Sequence, residues 1–175
     1  MLPDVIVFLN GAFGVGKTST ARVLHEALPT SLLFDPEWVG TMLSATLKER
    51  TDWPGDYQSI PAWRRIVVSA VQELRRDYEH LLIVPMTVWR ADVWRQLRTG
   101  FCEADPELRA FRLTATEETL RSRILGRPEE EGPHGWCLRH MPVAIAALRD
   151  EEYGTEIPTD ERTPEEIGAT ILGRL

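Results

Sequence analysis

The chain has 175 residues, 43% of them apolar, and a formal net charge of −7. That length fits one domain, or one domain with a mobile insert, and the apolar share is too high for a disordered chain. The acidic balance argues against a broad grip on nucleic acid, though not against a local basic pocket.

The run "VIVFLN" (5–10) reads as a fully buried strand, short, β-branched and followed by glycine. Helical spacing follows from Thr18, with Ala21, Leu24 and Leu28 on one face, ending near Pro29. "SLLFD" (31–35) predicts a second strand stopped by Pro36, and a helix over about 37–47 comes next. Residues 49–61 are polar and proline-bearing and read as a loop. Ile66, Val67, Ala70, Val71, Leu74 and Tyr78 predict a long helix over 62–79. "LLIVP" (81–85) is a third strand, followed by a helix around 90–99, and 107–115 is a fourth strand. Thr116 precedes a helix near 117–127 and can cap it. "GRPEEEGPHG" (126–135) is a break, and a helix follows over about 136–149. A short strand near "TEIPT" then precedes Thr163, which can cap a last helix opening on "PEE". Strands alternating with helices argue for a parallel sheet covered by helices on both faces, with its site at the carboxyl ends of the strands, near Asn10, Asp35, Pro85, Ala115 and Thr159.

At the first of these ends, Gly11, Gly16, Lys17 and Thr18 satisfy G-x-x-x-x-G-K-[ST], between a predicted strand and a predicted helix. Glycines let the backbone curl so that successive N–H groups face phosphate oxygens, and the helix adds its positive end. The expected nucleotide-phosphate site is Gly11, Ala12, Phe13, Gly14, Val15, Gly16, Lys17, Thr18 and Ser19. Lys17, one of only two lysines beside 18 arginines, brings a thin, mobile charge to the outer phosphates of ATP, and the hydroxyl of Thr18 suits Mg²⁺.

Asp35, ending the second strand, can hold a metal-bound water or accept a proton from a substrate hydroxyl. It can also cap the helix that opens at Pro36, and the two roles are compatible. "LLIVPMT" carries no acid, which leaves the second metal ligand open and raises the weight on Asp35. Arg123 and Arg127, four apart and beside the Gly/Pro-rich break, can close over a γ-phosphate; Arg121 reads as a solvated surface residue, and Arg139 is open. Six tryptophans are many for this length. Trp38, Trp53, Trp63 and Trp89 lie near strand ends or the 49–63 loop, where they can wall a ring-bearing ligand; Trp38 and Trp94 can equally fill the core. The four histidines show no ligand spacing. The last helix can lie on a membrane surface, but its stripe fits better as the helix that closes the sheet. No basic-then-apolar leader opens the chain, no run is long enough to span a bilayer, and Cys102 and Cys137 show no zinc spacing, so a reducing cytoplasm is expected.

"NGAFGVGKT", "FDPEWVG", "YQSIPAWRR", "LLIVPMTV", "FRLTATEETLRSRI" and "IPTD" together resemble the tunicamycin-resistance proteins of bacteria, over nearly the whole chain. These are P-loop proteins related to nucleotide and gluconate kinases and to chloramphenicol phosphotransferase. The resemblance implies an α/β nucleoside-monophosphate-kinase-like sandwich in one domain over 1–175. It implies a five-stranded parallel sheet of order 2-3-1-4-5, a helical lid over about 126–139 and a substrate-binding helical region over about 36–79. Tunicamycin carries uridine and a fatty acyl chain. Trp38, Gln58, Trp63, Arg64, Thr87 and Asp35 would suit it. The expected activity is a Mg²⁺/ATP-dependent phosphotransferase, with Lys17, Asp35, Arg123 and Arg127 catalytic and Thr18 and Asp35 on the metal. An ATP-dependent sequestering protein and an ordinary nucleoside or sugar kinase stand as alternatives. The partner expected is a small molecule, not nucleic acid, and both monomer and homodimer remain open.

Overall fold

A computed structural model describes residues 5–50, 52, 56–128 and 133–175. At its centre runs β1 (Ile6–Gly11), all six residues buried. On one side it pairs with β3 (Leu82–Pro85), which pairs in turn with β2 (Leu32–Leu33). On the other it pairs with β4 (Arg109–Thr114), and β4 with β5 (Thr155–Pro158). All pairings are parallel and the order is β2-β3-β1-β4-β5, as expected.

Seven α-helices connect these strands among the described residues: α1 (Lys17–Ala27), α2 (Glu37–Leu47), α3 (Pro61–Asp77), α4 (Ala91–Ala104), α5 (Glu117–Gly126), α6 (His134–Ala147) and α7 (Pro164–Leu172). Right-handed crossovers between parallel strands place α1 and α7 on one face of the sheet and α3 and α4 on the other. In keeping with this, α1 packs on α7 and α3 on α4. The α7 stripe of Ile167, Gly168 and Ile171 is buried, so this helix closes the sheet, and no helix among the described residues is long and apolar enough to cross a membrane.

Core packing follows from the strand pattern. Phe8 meets Trp94 and Phe101 of α4, with ring centroids 5.0 and 5.9 Å apart. The Trp94 indole N–H donates to the Glu152 carbonyl at 2.7 Å, which settles this tryptophan as core filling. Two predicted caps are formed. Thr116 accepts from the Thr119 amide at 3.2 Å, and Thr163 with Glu166 makes a full capping box. The second strand is shorter than predicted, two residues rather than 31–35, because it is an edge with a single neighbour. Helix α4 runs to Ala104, beyond the predicted 99. Trp53 and lid residues 129–132 lie outside the described residues.

Candidate nucleotide and substrate cleft

The carboxyl ends of β1, β2 and β3 open into a cleft of about 540 Å³, within the range of small-ligand sites. Its floor is the turn from β1 into α1. Gly11, Gly14 and Gly16 all have positive φ there. At Gly14 (φ 80°) a Cβ would meet the Leu120 carbonyl at 2.8 Å and Ile124 Cγ1 at 2.9 Å, so the loop rests directly on α5. At Gly16 (φ 99°) nothing lies within 4 Å, and the glycine is required by conformation alone. Gly16 is also the N-cap of α1, with no side-chain cap. A helix that leaves its first amides without a side-chain acceptor, at the wall of a cleft, fits an anion.

Lys17 folds back over this loop. Its Nζ donates to the carbonyls of Gly11 at 2.9 Å and Ala12 at 3.1 Å. Enclosure of the ammonium lowers its pKa to about 8, against the pull of Glu37. The hydroxyl-bearing Thr18 and Ser19 are exposed in the same lining. No group of three or more metal-ligating side chains exists among the described residues. A hard cation here would therefore draw on a hydroxyl, one carboxylate and the oxygens of its nucleotide, which is the donor set Mg²⁺ favours.

Across the cleft stand two carboxylates. Asp35 Oδ1 accepts the Glu37 amide at 2.9 Å, so the capping role is real. Oδ2 makes no hydrogen bond among the described residues, and Lys17 and Arg22 line the same cleft. Burial pushes the Asp35 carboxyl up, opposed by that amide and by the two cations. Glu37 also lines the cleft, and its carboxyl is raised by burial and by Asp35. Sequence reasoning placed Glu37 only in the first turn of α2; its spacing of two from Asp35 across a helix start was the available signal.

Both α5 arginines line the cleft. Arg123 donates to the Thr159 hydroxyl at 3.0 Å and carbonyl at 2.7 Å, and to the Val15 carbonyl at 3.4 Å, and to no glutamate among the described residues. Arg127 donates to Cys137 Sγ at 3.0 Å. Arg121 instead lies 3.8 Å from Glu117 on the surface. Arg22 and Arg162 join the lining, and neither was singled out from sequence.

The six residues expected at a second ligand divide. Asp35 and Thr87 reach the cleft. Gln58 is buried and donates to the Thr87 carbonyl at 2.8 Å; Arg64 donates to the Gln58 carbonyl at 2.9 Å and to Asp92 at 3.1 Å. These two brace the wall from behind. The ligand-facing ring expected at Trp63 is not met: it is 0% exposed, its indole donates to the Pro36 carbonyl at 3.1 Å, and it packs on Tyr57. Its ring and its polar handle are both satisfied inside the fold. Trp38 is 61% exposed on α2 and outside the cleft lining.

Of the tryptophans expected as a wall, Trp89 stands at the border of the site, in a set of rings otherwise not foreseen. Phe13 of the loop lies 5.6 Å from Trp89 and 5.1 Å from Trp136, and Trp136 lies 4.3 Å from His140. All four rings are partly exposed. They fasten α6 to the loop after β1. Asn10 performs a matching task beneath: its side chain accepts from the amides of Gly11 (2.8 Å) and Val88 (3.0 Å) and donates to the Val88 carbonyl (3.0 Å).

The sequence profile of the AAA domain family matches residues 6–135. Among solved structures, the tunicamycin resistance protein of Deinococcus radiodurans is similar over 97% of this chain and 94% of that one, with 27% identity and a TM-score of 0.77. A sugar kinase of Janibacter sp. HTCC2649 has 17% identity and a TM-score of 0.68 over 97% and 92% of the two chains. A gluconokinase of Sinorhizobium meliloti has 17% identity and a TM-score of 0.66 over 99% and 94%. These last two likenesses are of fold alone. No curated protein matches the chain by sequence.

Proposed function

This chain belongs to the AAA domain family, and from that premise we propose that it is a Mg²⁺/ATP-dependent phosphotransferase acting on a small, nucleoside-type hydroxyl compound. The likeness to a tunicamycin resistance protein makes tunicamycin the first substrate to try. The observation that carries the reading is one cleft with the uncapped start of α1 and Lys17 on one wall and a half-buried carboxylate, Asp35, on the other.

In this reading the loop amides and Lys17 hold the ATP phosphates. Mg²⁺ supplies charge neutralisation at the phosphate oxygens when bound. The Thr18 hydroxyl and Asp35 would hold it. Asp35 also takes the proton of the attacking hydroxyl, helped by a carboxyl that burial has already pushed toward greater basicity. Arg123 and Arg127 stabilise the charge that develops during transfer, and release of Arg123 from Thr159 frees its donors to do so.

Incubation with labelled ATP and tunicamycin, then with a panel of nucleosides and sugars, should give a phosphorylated product. Asp35→Asn should lower turnover at least a hundredfold and leave affinity for metal-free ATP within threefold, since Asn still caps α2 and the loop amides and Lys17 are untouched. No transfer to any hydroxyl compound would refute the reading.

A second reading has its own support: the end of β3 offers Thr87 where an acid would complete a metal site, beside a border of four rings. A protein that sequesters the antibiotic in the presence of ATP would yield chemically intact tunicamycin from its saturated complex, and Asp35→Asn would keep resistance.

A further inference from the structure

At the opposite end of the sheet, where β4 and β5 begin, lies a second cavity of about 660 Å³. Arg98 midway along α4, Arg109 opening β4 and Arg174 line it. All three are exposed and none makes an ion pair among the described residues; Arg174 gives one hydrogen bond, to the Glu156 carbonyl at 3.3 Å. Arg112 belongs to the same lining and is 5% exposed. Its terminal nitrogens donate to the Leu148 carbonyl at 2.6 Å and to the Glu156 carboxylate at 3.2 Å, while its buried Nε has no partner. A buried, unpaired guanidinium N–H marks a place with donor capacity to spare.

The carboxylates in this lining are largely spoken for. Glu156 serves Arg112, and Glu152 serves Arg95 at 3.2 Å. Glu151 alone stands against the three arginines without acid partners. Four arginines against three glutamates leave the lining one positive charge in surplus, with Arg95 at its rim on Glu152, in a chain whose net charge is −7. Guanidinium groups bind carboxylates and phosphates in the same forked geometry.

We propose that this cavity is a binding site for a small dianion, a phosphate monoester or a dicarboxylate, separate from the nucleotide cleft. Cys102 lines the cavity and is partly exposed, whereas Cys137 is buried, so one thiol reports on occupancy at this place alone. The neutral reagent N-ethylmaleimide would be used on the full chain, with labelling read by intact mass. Glycerol 3-phosphate or succinate at 5 mM should slow Cys102 labelling at least fivefold, while KCl of equal ionic strength leaves it unchanged. Protection by the phosphate ester alone assigns the site to phosphate monoesters, and protection by both assigns it to dianions at large; each supports the proposal. The triple variant Arg98→Gln/Arg109→Gln/Arg174→Gln should lose protection, and Arg109→Gln alone should weaken it at least threefold. Undiminished protection in these variants, protection by KCl alone, or no slowing by either probe at 20 mM would overturn it.

Discussion

Replacing Lys17 by methionine separates what this residue does for the fold from what it does for a ligand. The ammonium titrates near 8 instead of 10.5 because the loop and its surroundings strip it of water. At about 1.4 kcal/mol per factor of ten, keeping it charged at pH 7 costs the folded state about 3 kcal/mol. Against this, its hydrogen bonds to the Gly11 and Ala12 carbonyls contribute about 1 kcal/mol each. Lys17→Met should therefore be more stable than the wild type at pH 7, by about 1 kcal/mol. Between pH 8 and 10.5 the unfolded chain still holds the proton and the folded one has released it, so wild-type stability climbs with pH. Relative to Lys17→Met, which cancels every other titrating group, that climb should be about 3 kcal/mol. Urea unfolding followed by tryptophan fluorescence at pH 7, 8, 9 and 10 measures it. The same variant should bind Mg·ATP at least about thirtyfold more weakly, the worth of one charged hydrogen bond. A variant less stable than wild type by more than about 1 kcal/mol, or parallel pH curves, would refute the reasoning.

Asn10→Ala removes three buried hydrogen bonds, two of which join the end of β1 to Val88 beyond β3, and should cost about 3 kcal/mol in chemical denaturation. Gly14→Ala drives a methyl into the Leu120 carbonyl at positive φ; a loss of about 2 kcal/mol or more is expected, read as a lower Tm, with Mg·ATP affinity falling alongside. Asp160 accepts from both hydroxyls and the amide at the start of α5, and Asp160→Ala should cost about 1 kcal/mol. The Thr119 hydroxyl and the Thr116 donors hold its carboxyl below the usual 3.8, so the contribution is full above that pH and fades as pH falls through the lower, folded value. Acid titration of the two proteins should show their stabilities converging in that range, and a constant gap would count against the assignment.

The phosphate loop and the alternation of strands and helices could be read from the chain because they are written in contiguous signals: a buried run, three glycines, a lysine and hydroxyls, then alternating periodicities; the strand order followed only from the family resemblance. Of the ring border only Trp89 could be so read, from its place after a strand end. Phe13, Trp89, Trp136 and His140 come from three separated segments, and only the crossovers of the sheet bring them together. Trp63 illustrates the reverse. A tryptophan beside an arginine at a helix start looks the same in sequence whether it faces a ligand or a backbone carbonyl, and burial decides. Glu37 escaped notice because an acid in the first turn of a helix is already accounted for by the helix itself.

The absence of room for a side chain at Gly14 has a mechanical corollary. With backbone pressed on backbone there, the helix bearing Arg123 and the phosphate loop share one contact that leaves no slack for repacking. The two arginines of the cleft are therefore anchored by different routes: Arg123 bears on the loop itself through the Val15 carbonyl, while Arg127, one residue past the end of the helix, is held by Cys137 of α6.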